Sequence, residues 1–390
     1  MKIRSIQQIK NLKGKNVLLR VDCNVPLDGR GRIVDDYRIQ SILPTIRHLI
    51  IKGANVILIN HLGRPDGKIV PALSNKIVAR HLSRLLEKKV TVFEDITSQE
   101  NIKKARGLGY RQIAMLENIR FRPAEEKNNL AFAAKLAQYG DLYINDAFAV
   151  SHRSHASVAA ITRYLPAYAG LLLEKEIENL SRVFESKARP KLAIIGGFKL
   201  ETKVPVISNL LKNMDYVLTG GAVANGILKA MGYEIGLSRI DGHKPELAKK
   251  IQSDKLIVPF DVVVAKNMKA QAKTEVKAVG QVGPKDIILD IGPKTVKFYS
   301  FFIKEAQLVI WNGPLGYFEV DRYKEASREI ARAAVSYPVN SIIGGGETVQ
   351  LATELGLVKR FDFVSTGGGA MLEFLEGKIL PGIKPLLLKK

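Results

Sequence analysis

Short apolar runs alternate with amphipathic segments along the chain, and this alternation predicts an α/β fold. Runs such as Ala54–Asn60 and Lys191–Gly196 are apolar on both faces, as is typical of strands in a buried parallel sheet. The predicted strands are Lys15–Asp22, Ala54–Asn60, Gln112–Glu117, Asp141–Asn145, Lys191–Gly196, Tyr216–Thr219, Leu256–Pro259, Ile287–Ile291, Leu308–Trp311 and Ser341–Ile343. The predicted helices are Ser41–Lys52, Asn75–Glu87, Leu130–Gln138, Val204–Asn213, Glu246–Ser253 and Arg322–Ser336. We therefore expect doubly wound domains with parallel sheets.

A length of 390 residues favours two such domains. Residues 1–170 hold 28 basic and 14 acidic residues, whereas residues 171–390 hold 32 and 24. A further helical run, Leu171–Glu185, lies where this charge balance changes. We interpret it as an interdomain helix that opens the second domain at residue 171. The alternative is an ordinary crossover helix inside one domain.

The composition of the chain limits which partners the protein can bind and in which compartment it is expected. The formal net charge of +22 is consistent with phosphorylated metabolites or nucleic acid as partners, or with a lysine-rich solvated surface. The single cysteine, Cys23, excludes a disulfide framework and fits a reducing compartment. Apolar stretches are too short to span a membrane, and the first residues lack the apolar core of a signal peptide. We expect a soluble cytoplasmic protein.

Basic and polar side chains cluster at the predicted strand ends of the first half. The motifs are RVDCNVP at 20–26, HLGRP at 61–65, LENIRF at 116–121 and NDAFAVSHRSHAS at 145–157. Ligands of doubly wound sheets bind at the carboxyl ends of strands, so these motifs converge if the sheet forms. The basic residues that would then share one crevice are Arg38, His61, Arg64, Arg120, His152 and Arg153. Such a group needs an anion, and arginine forks match phosphate and carboxylate oxygens.

Glycine clusters follow the strands of the second half. They lie at 196–203, 219–222, 311–319, 344–348 and 365–370. Glycine lets the backbone approach a phosphate, and the amides of a following helix then point at the anion. Neither a Walker A loop nor a Gly-x-Gly-x-x-Gly motif is present. Lys199 and Lys203, four residues apart, are expected on one face of the helix that opens after Gly197.

Taken together, these motifs resemble those of the phosphoglycerate kinases, in the same order, from about Asn16 to Lys378. The resemblance implies two Rossmann-like domains, the first binding 3-phosphoglycerate or 1,3-bisphosphoglycerate and the second binding ADP or ATP with Mg²⁺. It implies reversible in-line phosphoryl transfer between the acyl phosphate and ADP after domain closure. It also implies a monomer whose last segment, 379–390, returns to the N-terminal domain 1–170, leaving 171–378 as the nucleotide domain.

The resemblance also implies roles for individual residues. The substrate-binding positions are Asp22, Asn24, Arg38, His61, Arg64, Arg120 and Arg153. The nucleotide-binding positions are Gly197, Phe198, Lys199, Lys203, Gly220, Gly221, Asn312, Pro314, Glu319, Gly346, Glu347 and Thr348. The catalytic positions are Arg38, Lys199, Lys203, Gly345 and Gly368. Glu319 is expected to reach the ribose, and Glu347 to hold magnesium.

The chain departs from the family pattern at a few of these positions. Phe198 stands where the family usually has alanine, and Glu347 stands where it usually has aspartate. Glu347 keeps the carboxylate but adds a methylene, which changes the geometry available to the metal. Two alternatives to an active kinase remain at this stage: a basic nucleic-acid-binding protein on an α/β scaffold, and an inactive relative. Retention of Arg38, Lys199 and Lys203 argues against the second.

Overall fold

The computed structural model describes residues 1–241 and 245–388, and the chain divides into two compact units. Unit 1 comprises Met1–Glu178 with Ile379–Lys390, and unit 2 comprises Asn179–Lys378. The boundary falls inside the helix Leu171–Glu185. The last two residues of the expected tail, 389–390, lie outside the described residues, as do 242–244.

Unit 1 is built on one parallel six-stranded sheet. Its strands are β1 Asn16–Arg20, β2 Asn55–Ile59, β3 Val90–Phe93, β4 Ile113–Leu116, β5 Leu142–Asn145 and β6 Ala167–Ala169. Its α-helices are α1 Tyr37–Ile51, α2 Lys76–Leu86, α3 Gln99–Arg106, α4 Pro123–Glu126, α5 Leu130–Ala137 and the start of α6 Leu171–Glu185. Its 3₁₀ helices are Ile6–Gln8, Pro71–Leu73, Ile119–Phe121, Phe148–Val150, Ala160–Arg163 and Lys384–Leu386. The strand order is β3-β4-β2-β1-β5-β6, with every pair parallel.

The central strands of this sheet explain why their sequences are apolar throughout. All five residues of β1 and all five of β2 are buried, because each strand has neighbours on both sides and packed layers on both faces. Helix α2 buries only one stripe, formed by Val78, Ala79 and Leu82, as expected of an amphipathic helix on a core. The C-terminal segment joins the same unit, where the Leu388 N–H donates to the carbonyl of Lys2 at 3.2 Å.

Unit 2 contains a second parallel sheet and a small antiparallel one. Its strands are β7 Lys191–Ile195, β8 Tyr216–Thr219, β9 Leu256–Ile257, β10 Asp261–Ala265, β11 Thr274–Ala278, β12 Ile287–Ile291, β13 Leu308–Asn312, β14 Asn340–Gly344 and β15 Phe363–Val364. Its α-helices are α7 Leu200–Asn213, α8 Gly221–Ala230, α9 Pro245–Lys249, α10 Pro293–Glu305, α11 Glu325–Ser336, α12 Gly346–Glu354 and α13 Gly369–Leu375, with 3₁₀ helices Val279–Gln281, Asp321–Lys324 and Val358–Arg360. The large sheet has the order β15-β14-β13-β7-β8-β9 and is parallel. The predicted α/β class with parallel sheets is confirmed.

Several elements differ from the sequence-based expectation: some strands and helices were not predicted, and the helix predicted at Glu246–Ser253 ends at Lys249. Ile287–Ile291 is a strand, as predicted, but it lies in the antiparallel sheet β11-β10-β12. Helices α1 and α7 each begin four residues before the predicted starts at Ser41 and Val204, so that Pro44 and Pro205 lie inside them. Each proline costs one backbone hydrogen bond, and the buried face of its helix outweighs that local loss.

Within residues 1–241 and 245–388, no helix has both the length and the apolar character needed to cross a membrane.

Candidate active site

In unit 1 the predicted basic residues gather at one edge of the sheet. The strands β1, β2, β4 and β5 are parallel neighbours, so their carboxyl ends open on the same edge. Asp22 follows β1, His61 follows β2, Arg120 follows β4 and Arg153 follows β5. Arg38 reaches this edge from the first turn of α1, where its Nη1 pairs with the Asp22 carboxylate. Motifs that lie far apart in the sequence therefore meet in space, because the strands they follow are neighbours in the sheet.

Hydrogen bonds tie the loops at this edge to one another. The Asn24 N–H donates to Oδ1 of Asp22 at 3.0 Å. The side-chain oxygen of Asn24 accepts from the Gly63 N–H at 2.8 Å, and Nη1 of Arg120 donates to the Gly63 carbonyl at 3.0 Å. The loops after β1, β2 and β4 are thus held in one arrangement, and preorganised sites bind ligands with less loss of conformational freedom.

His61 is held as a neutral imidazole within this cluster. Its side chain is only 3% exposed, and its Nδ1 lies 3.4 Å from Nη2 of Arg20 and 3.9 Å from Asp22. Burial lowers the pKa of His61 well below its usual value, and nearby guanidinium groups lower it further. The arginines concerned are Arg20, Arg120, Arg153 and Arg38. Because a guanidinium only donates, the Arg20 contact favours the tautomer with the proton on Nε2.

The site carries more positive than negative charge. Arg38 is paired with Asp22, and Nε of Arg120 lies 3.2 Å from Glu126. Arg64 and Arg153 make no ion pair with a carboxylate among the described residues, and Nη2 of Arg120 is buried there without a hydrogen-bond partner. A buried donor without a partner is costly unless a ligand satisfies it. The arrangement therefore suits a small ligand with several negative charges.

A buried network beneath this edge was not expected from the sequence. Nε of Arg20 donates to Oγ of Ser157 at 2.9 Å, and that hydroxyl donates to Glu125 at 2.5 Å. Glu125 is fully buried, which raises its pKa, although Arg20 and the hydrogen bonds from Ser157 oppose this. The pair Glu125-Glu126 looks like an exposed helix start in the sequence. The one signal in the sequence for a buried acidic partner is Arg20, a charged residue at the end of an apolar strand.

In unit 2 four of the five glycine clusters, at 196–203, 219–222, 311–319 and 344–348, line two adjoining cavities. With the open solvent at their mouths included, one spans about 690 Å³ and is called the larger cavity, and the other spans about 540 Å³ and is called the smaller. Both are lined by Gly197, Phe198 and Glu347. The larger cavity also includes the predicted Gly221, Pro314 and Glu319. The smaller also includes the predicted Lys199, Lys203, Asn312, Gly345, Gly346 and Thr348. Gly220 lines neither cavity but caps the start of α8, and Gly368, which caps α13, also lies outside both.

Lys203 is the buried cation of the smaller cavity. It lies in the first turns of α7 and donates to the side-chain oxygen of Asn312, whose amide donates to the Gly344 carbonyl at 3.0 Å. Burial lowers its pKa to about 8, and the nearby Glu347 opposes this shift. Lys199 precedes α7 in an extended conformation and is exposed. The expectation of one shared helical face is therefore wrong in detail, although both lysines line the same cavity.

Glycine is required where loops in unit 2 pack backbone against backbone. A Cβ at Gly196 would lie 2.1 Å from the Pro314 carbonyl, and Gly313 has a φ of +95° beside it. Gly345, with a φ of +96°, turns the chain from β14 into α12. Helices α7 and α12 begin at this edge, and helix N-termini favour phosphate. Helix α8 begins here too, but its Gly221 and Val223 amides already donate to the carbonyls of Leu315 and Gly197, at 2.7 and 3.2 Å.

Glu347 supplies a carboxylate at the junction of the cavities. Burial raises the pKa of Glu347, the charge of Glu319 raises it further, and Lys203 lowers it. Within the described ranges no three His, Cys, Asp or Glu side chains form a metal-binding cluster. These residues suit a hard cation that one or two carboxylates hold together with substrate phosphates, which is the usual coordination of Mg²⁺ in nucleotide sites.

The structure adds cavity residues that the sequence analysis missed. Arg239, Asn225, Tyr317 and Leu289 line the larger cavity. Arg239 and Tyr317 stand in or beside loops, and their positions depend on contacts with the antiparallel sheet, which the sequence did not predict.

Known proteins of one family resemble this chain over nearly its whole length. A family profile described as phosphoglycerate kinase matches residues 6–378. Phosphoglycerate kinase of Coprothermobacter proteolyticus is 42% identical over all of both chains, and that of Dictyoglomus turgidum is 45% identical over 97% of this chain and 96% of the other. A structure of phosphoglycerate kinase from Coxiella burnetii matches with a TM-score of 0.88 and 38% identity over 99% of each chain. The chain belongs to the phosphoglycerate kinase family.

Proposed function

We propose that the chain transfers the acyl phosphate of 1,3-bisphosphoglycerate to ADP, reversibly, giving 3-phosphoglycerate and ATP. The observation that carries this proposal is the pairing of two chemically different anion sites in one chain. One is an arginine-rich edge with surplus positive charge in unit 1, and the other is a glycine-lined cavity with a buried lysine in unit 2. Family membership supports the assignment of the two substrates.

The phosphoglycerate is proposed to bind at the edge of unit 1. Guanidinium groups of Arg64, Arg120 and Arg153 have donors available for its phosphate and carboxylate oxygens. His61 is proposed to donate from Nε2, since its Nδ1 faces Arg20. Asp22 and Asn24 hold the loops in place and are proposed to orient the substrate hydroxyl.

The nucleotide is proposed to lie across the two cavities of unit 2. The larger cavity suits the base and ribose, because its walls are mainly apolar and Glu319 stands at its rim. The smaller suits the phosphates, because it brings together Lys199, Lys203 and the amides that open α12. Phe198 lines both cavities and is proposed to contact the nucleotide at their junction.

Magnesium is proposed to bind with the nucleotide rather than in a site of its own. Glu347 is the carboxylate that lines both cavities and is the proposed protein ligand. The ion would neutralise charge on the nucleotide phosphates.

Transfer in this site requires neither a covalent nucleophile nor a general base, because the acceptor oxygen of ADP is already anionic. The residues are proposed to act by position and charge. Arg38 and Lys199 are assigned to the transferring phosphoryl group, while Lys203 and the amides near Gly345 and Gly368 stabilise negative charge on the phosphates. The buried lysine suits this role, since electrostatic interactions strengthen where water is excluded.

Domain closure is part of the proposal. The two half-sites belong to different units, and in-line transfer needs the reacting atoms in contact. Closure would also exclude water, which otherwise hydrolyses the acyl phosphate. Helix α6 contributes residues to both units and is the proposed hinge. Scattering profiles that stay identical with and without both substrates would contradict closure.

We also propose that the chain works as a cytoplasmic monomer. The only cysteine, Cys23, is buried and free, which fits a reducing compartment. Sedimentation of the purified protein at micromolar concentration tests the monomer.

A coupled assay for ATP formation from 1,3-bisphosphoglycerate and ADP tests the proposed function directly. ATP formation that depends on both substrates is the expected result. An inactive chain would contradict the proposal. Tight, salt-dependent binding of DNA or RNA that phosphoglycerate does not displace would favour the nucleic-acid alternative.

A further inference from the structure

An arginine outside every sequence motif enters the nucleotide cavity of unit 2. Arg239 lines the larger cavity, with its guanidinium carbon 5.0 Å from the ring centre of Tyr317. Its Nη1 lies 3.8 Å from Oε1 of Glu319. Within the described part of the chain, Oε2 of Glu319 has no hydrogen-bond or ion-pair partner. At this distance the contact is an ion pair and not a hydrogen bond, so the guanidinium charge faces Oε1 and Oε2 stays available to a ligand.

The backbone that carries Arg239 is bound to strand β12 and to Asp286, the residue before it. The Leu237 N–H donates to the Asp286 carbonyl at 2.7 Å, and the Ile288 N–H donates to Oγ of Ser238 at 2.8 Å. The carbonyl of Arg239 itself accepts from the amide of buried Asn225 at 3.2 Å. Hydrogen bonds therefore hold the backbone at Arg239 in place.

The same strand also fixes the ring beneath the guanidinium. The Tyr317 N–H donates to the Leu289 carbonyl of β12 at 2.7 Å. Ser238, which precedes Arg239, and Tyr317 are thus bound to the successive residues Ile288 and Leu289 of β12, which restrains the distance between the guanidinium and the ring. A guanidinium over an aromatic face gains a modest cation–π attraction, and its planar fork is restricted in orientation.

Restraining the Glu319 side chain affects ligand binding because both Glu319 and Arg239 are exposed to solvent. The side chains of Arg239 and Glu319 are 48% and 60% exposed, so their ion pair adds little stability to the fold. An exposed glutamate samples many rotamers, and binding a ligand through it costs that freedom. A carboxylate drawn toward a restrained guanidinium samples fewer orientations, so it presents Oε2 to a ligand hydroxyl at a smaller entropic cost.

We propose that Arg239 is a specificity-determining positioning residue, which orients Glu319 so that the cavity distinguishes ribonucleotides from deoxyribonucleotides. The inference rests on the proposed function in assigning Glu319 to the ribose. Vicinal hydroxyl groups donate to the available carboxylate oxygen, and hydrogen bonds to a charged group are the stronger kind. A nucleotide that lacks the 2′-hydroxyl has only its 3′-hydroxyl left to donate to that carboxylate, so Arg239 contributes less to its binding.

The test is calorimetric binding of ADP and 2′-deoxy-ADP to the full chain and to Arg239→Leu. We expect the unchanged chain to bind ADP about tenfold more tightly than 2′-deoxy-ADP. Arg239→Leu should weaken ADP binding about tenfold while changing 2′-deoxy-ADP binding less than about twofold. Arg332→Leu is the matched control, because Arg332 has a similar exposure of 50% and pairs with Glu329 away from both cavities. It should change neither affinity.

A double variant separates action through Glu319 from direct contact with the nucleotide. Combining Arg239→Leu with Glu319→Ala should weaken ADP no more than Glu319→Ala alone, since the two residues act as one unit. Equal weakening of ADP and 2′-deoxy-ADP by Arg239→Leu would overturn the inference, as would equal affinity of the unchanged chain for both. Ribose discrimination without ATP formation would contradict the proposed function and leave the inference standing.

Discussion

The ammonium of Lys203 donates a hydrogen bond to the side-chain oxygen of Asn312. Lys203 comes from the first turns of α7, and Asn312 ends β13. The contact therefore joins α7, the helix that follows β7, to the end of the neighbouring strand β13. It places a buried cation beside the glycine-rich start of α12, where the nucleotide phosphates are proposed to bind.

The lowered pKa of Lys203 makes nucleotide binding sensitive to alkaline pH. With a pKa of about 8, Lys203 is charged below that pH and becomes neutral as the pH rises through it. We expect the KM for ADP to rise above about pH 8, because the neutral amine attracts phosphate less. Measuring kcat/KM for ADP between pH 6 and 10 checks this. Lys203→Arg should be less active but should lose the inflection, since arginine stays charged; an inflection that persists would assign it to another group.

Arg38 is expected to act on the reacting phosphoryl group. Arg38→Ala should lower kcat by about a hundredfold or more, because one charge-stabilising contact is removed from the transition state. The matched control is Arg32→Ala, which removes an exposed arginine paired with Asp28 and should leave kcat unchanged. Turnover is measured by ATP formation and folding by circular dichroism. Near-normal turnover of a folded Arg38→Ala chain would refute the assignment.

Glu347 is expected to link nucleotide binding to magnesium. Glu347→Ala should weaken ADP binding in millimolar Mg²⁺ and change it little in the presence of a chelator. Glu373→Ala removes a carboxylate that lines neither cavity and should preserve the magnesium effect. Titrating ADP at several magnesium concentrations measures both. If magnesium strengthens ADP binding to Glu347→Ala as much as to the unchanged chain, the ion is held elsewhere.

A substitution at Gly346 is expected to weaken nucleotide binding without lowering the stability of the fold. A Cβ added there meets no atom within 4 Å, yet Gly346 lines the smaller cavity. Gly346→Ala should therefore leave the free energy of unfolding within about 0.5 kcal/mol of the unchanged chain and raise the KM for ADP. Gly280→Ala, also free of contacts within 4 Å and outside the cavities, is the control. Urea unfolding and ADP kinetics measure the two effects. A KM equal in all three chains would argue against phosphate contact at Gly346.

Several buried elements could be predicted from the sequence, whereas an exposed element was missed. Strands β2 and β7 were predicted because burial on both faces leaves a continuous apolar run. Strand β11 was missed because its residues Thr274–Ala278 are partly or largely exposed and include charged side chains. A short, solvated strand is defined by its partner β10 rather than by its own sequence.

In the candidate site, too, residues that stand in motifs could be predicted, but residues placed by tertiary contacts could not. Its arginines and glycines stood in motifs at strand ends, where topology alone brings them together. Arg239 could not be found in that way, because its place in the cavity depends on hydrogen bonds from Asn225 and β12. The burial of Glu125 was likewise hidden, since the sequence does not show that Ser157 and Arg20 lie beside it.

Direct transfer between two bound substrates is the central claim, and following the phosphorus tests it most directly. The chain is mixed with Mg-ADP and 1,3-bisphosphoglycerate that carries radiolabelled phosphorus only in its acyl phosphate, and the products are separated. We predict that the label appears in the γ-phosphate of ATP and that Arg38→Ala lowers its rate of appearance. Label recovered as inorganic phosphate at a rate independent of ADP, or retained covalently on the protein, would contradict the account.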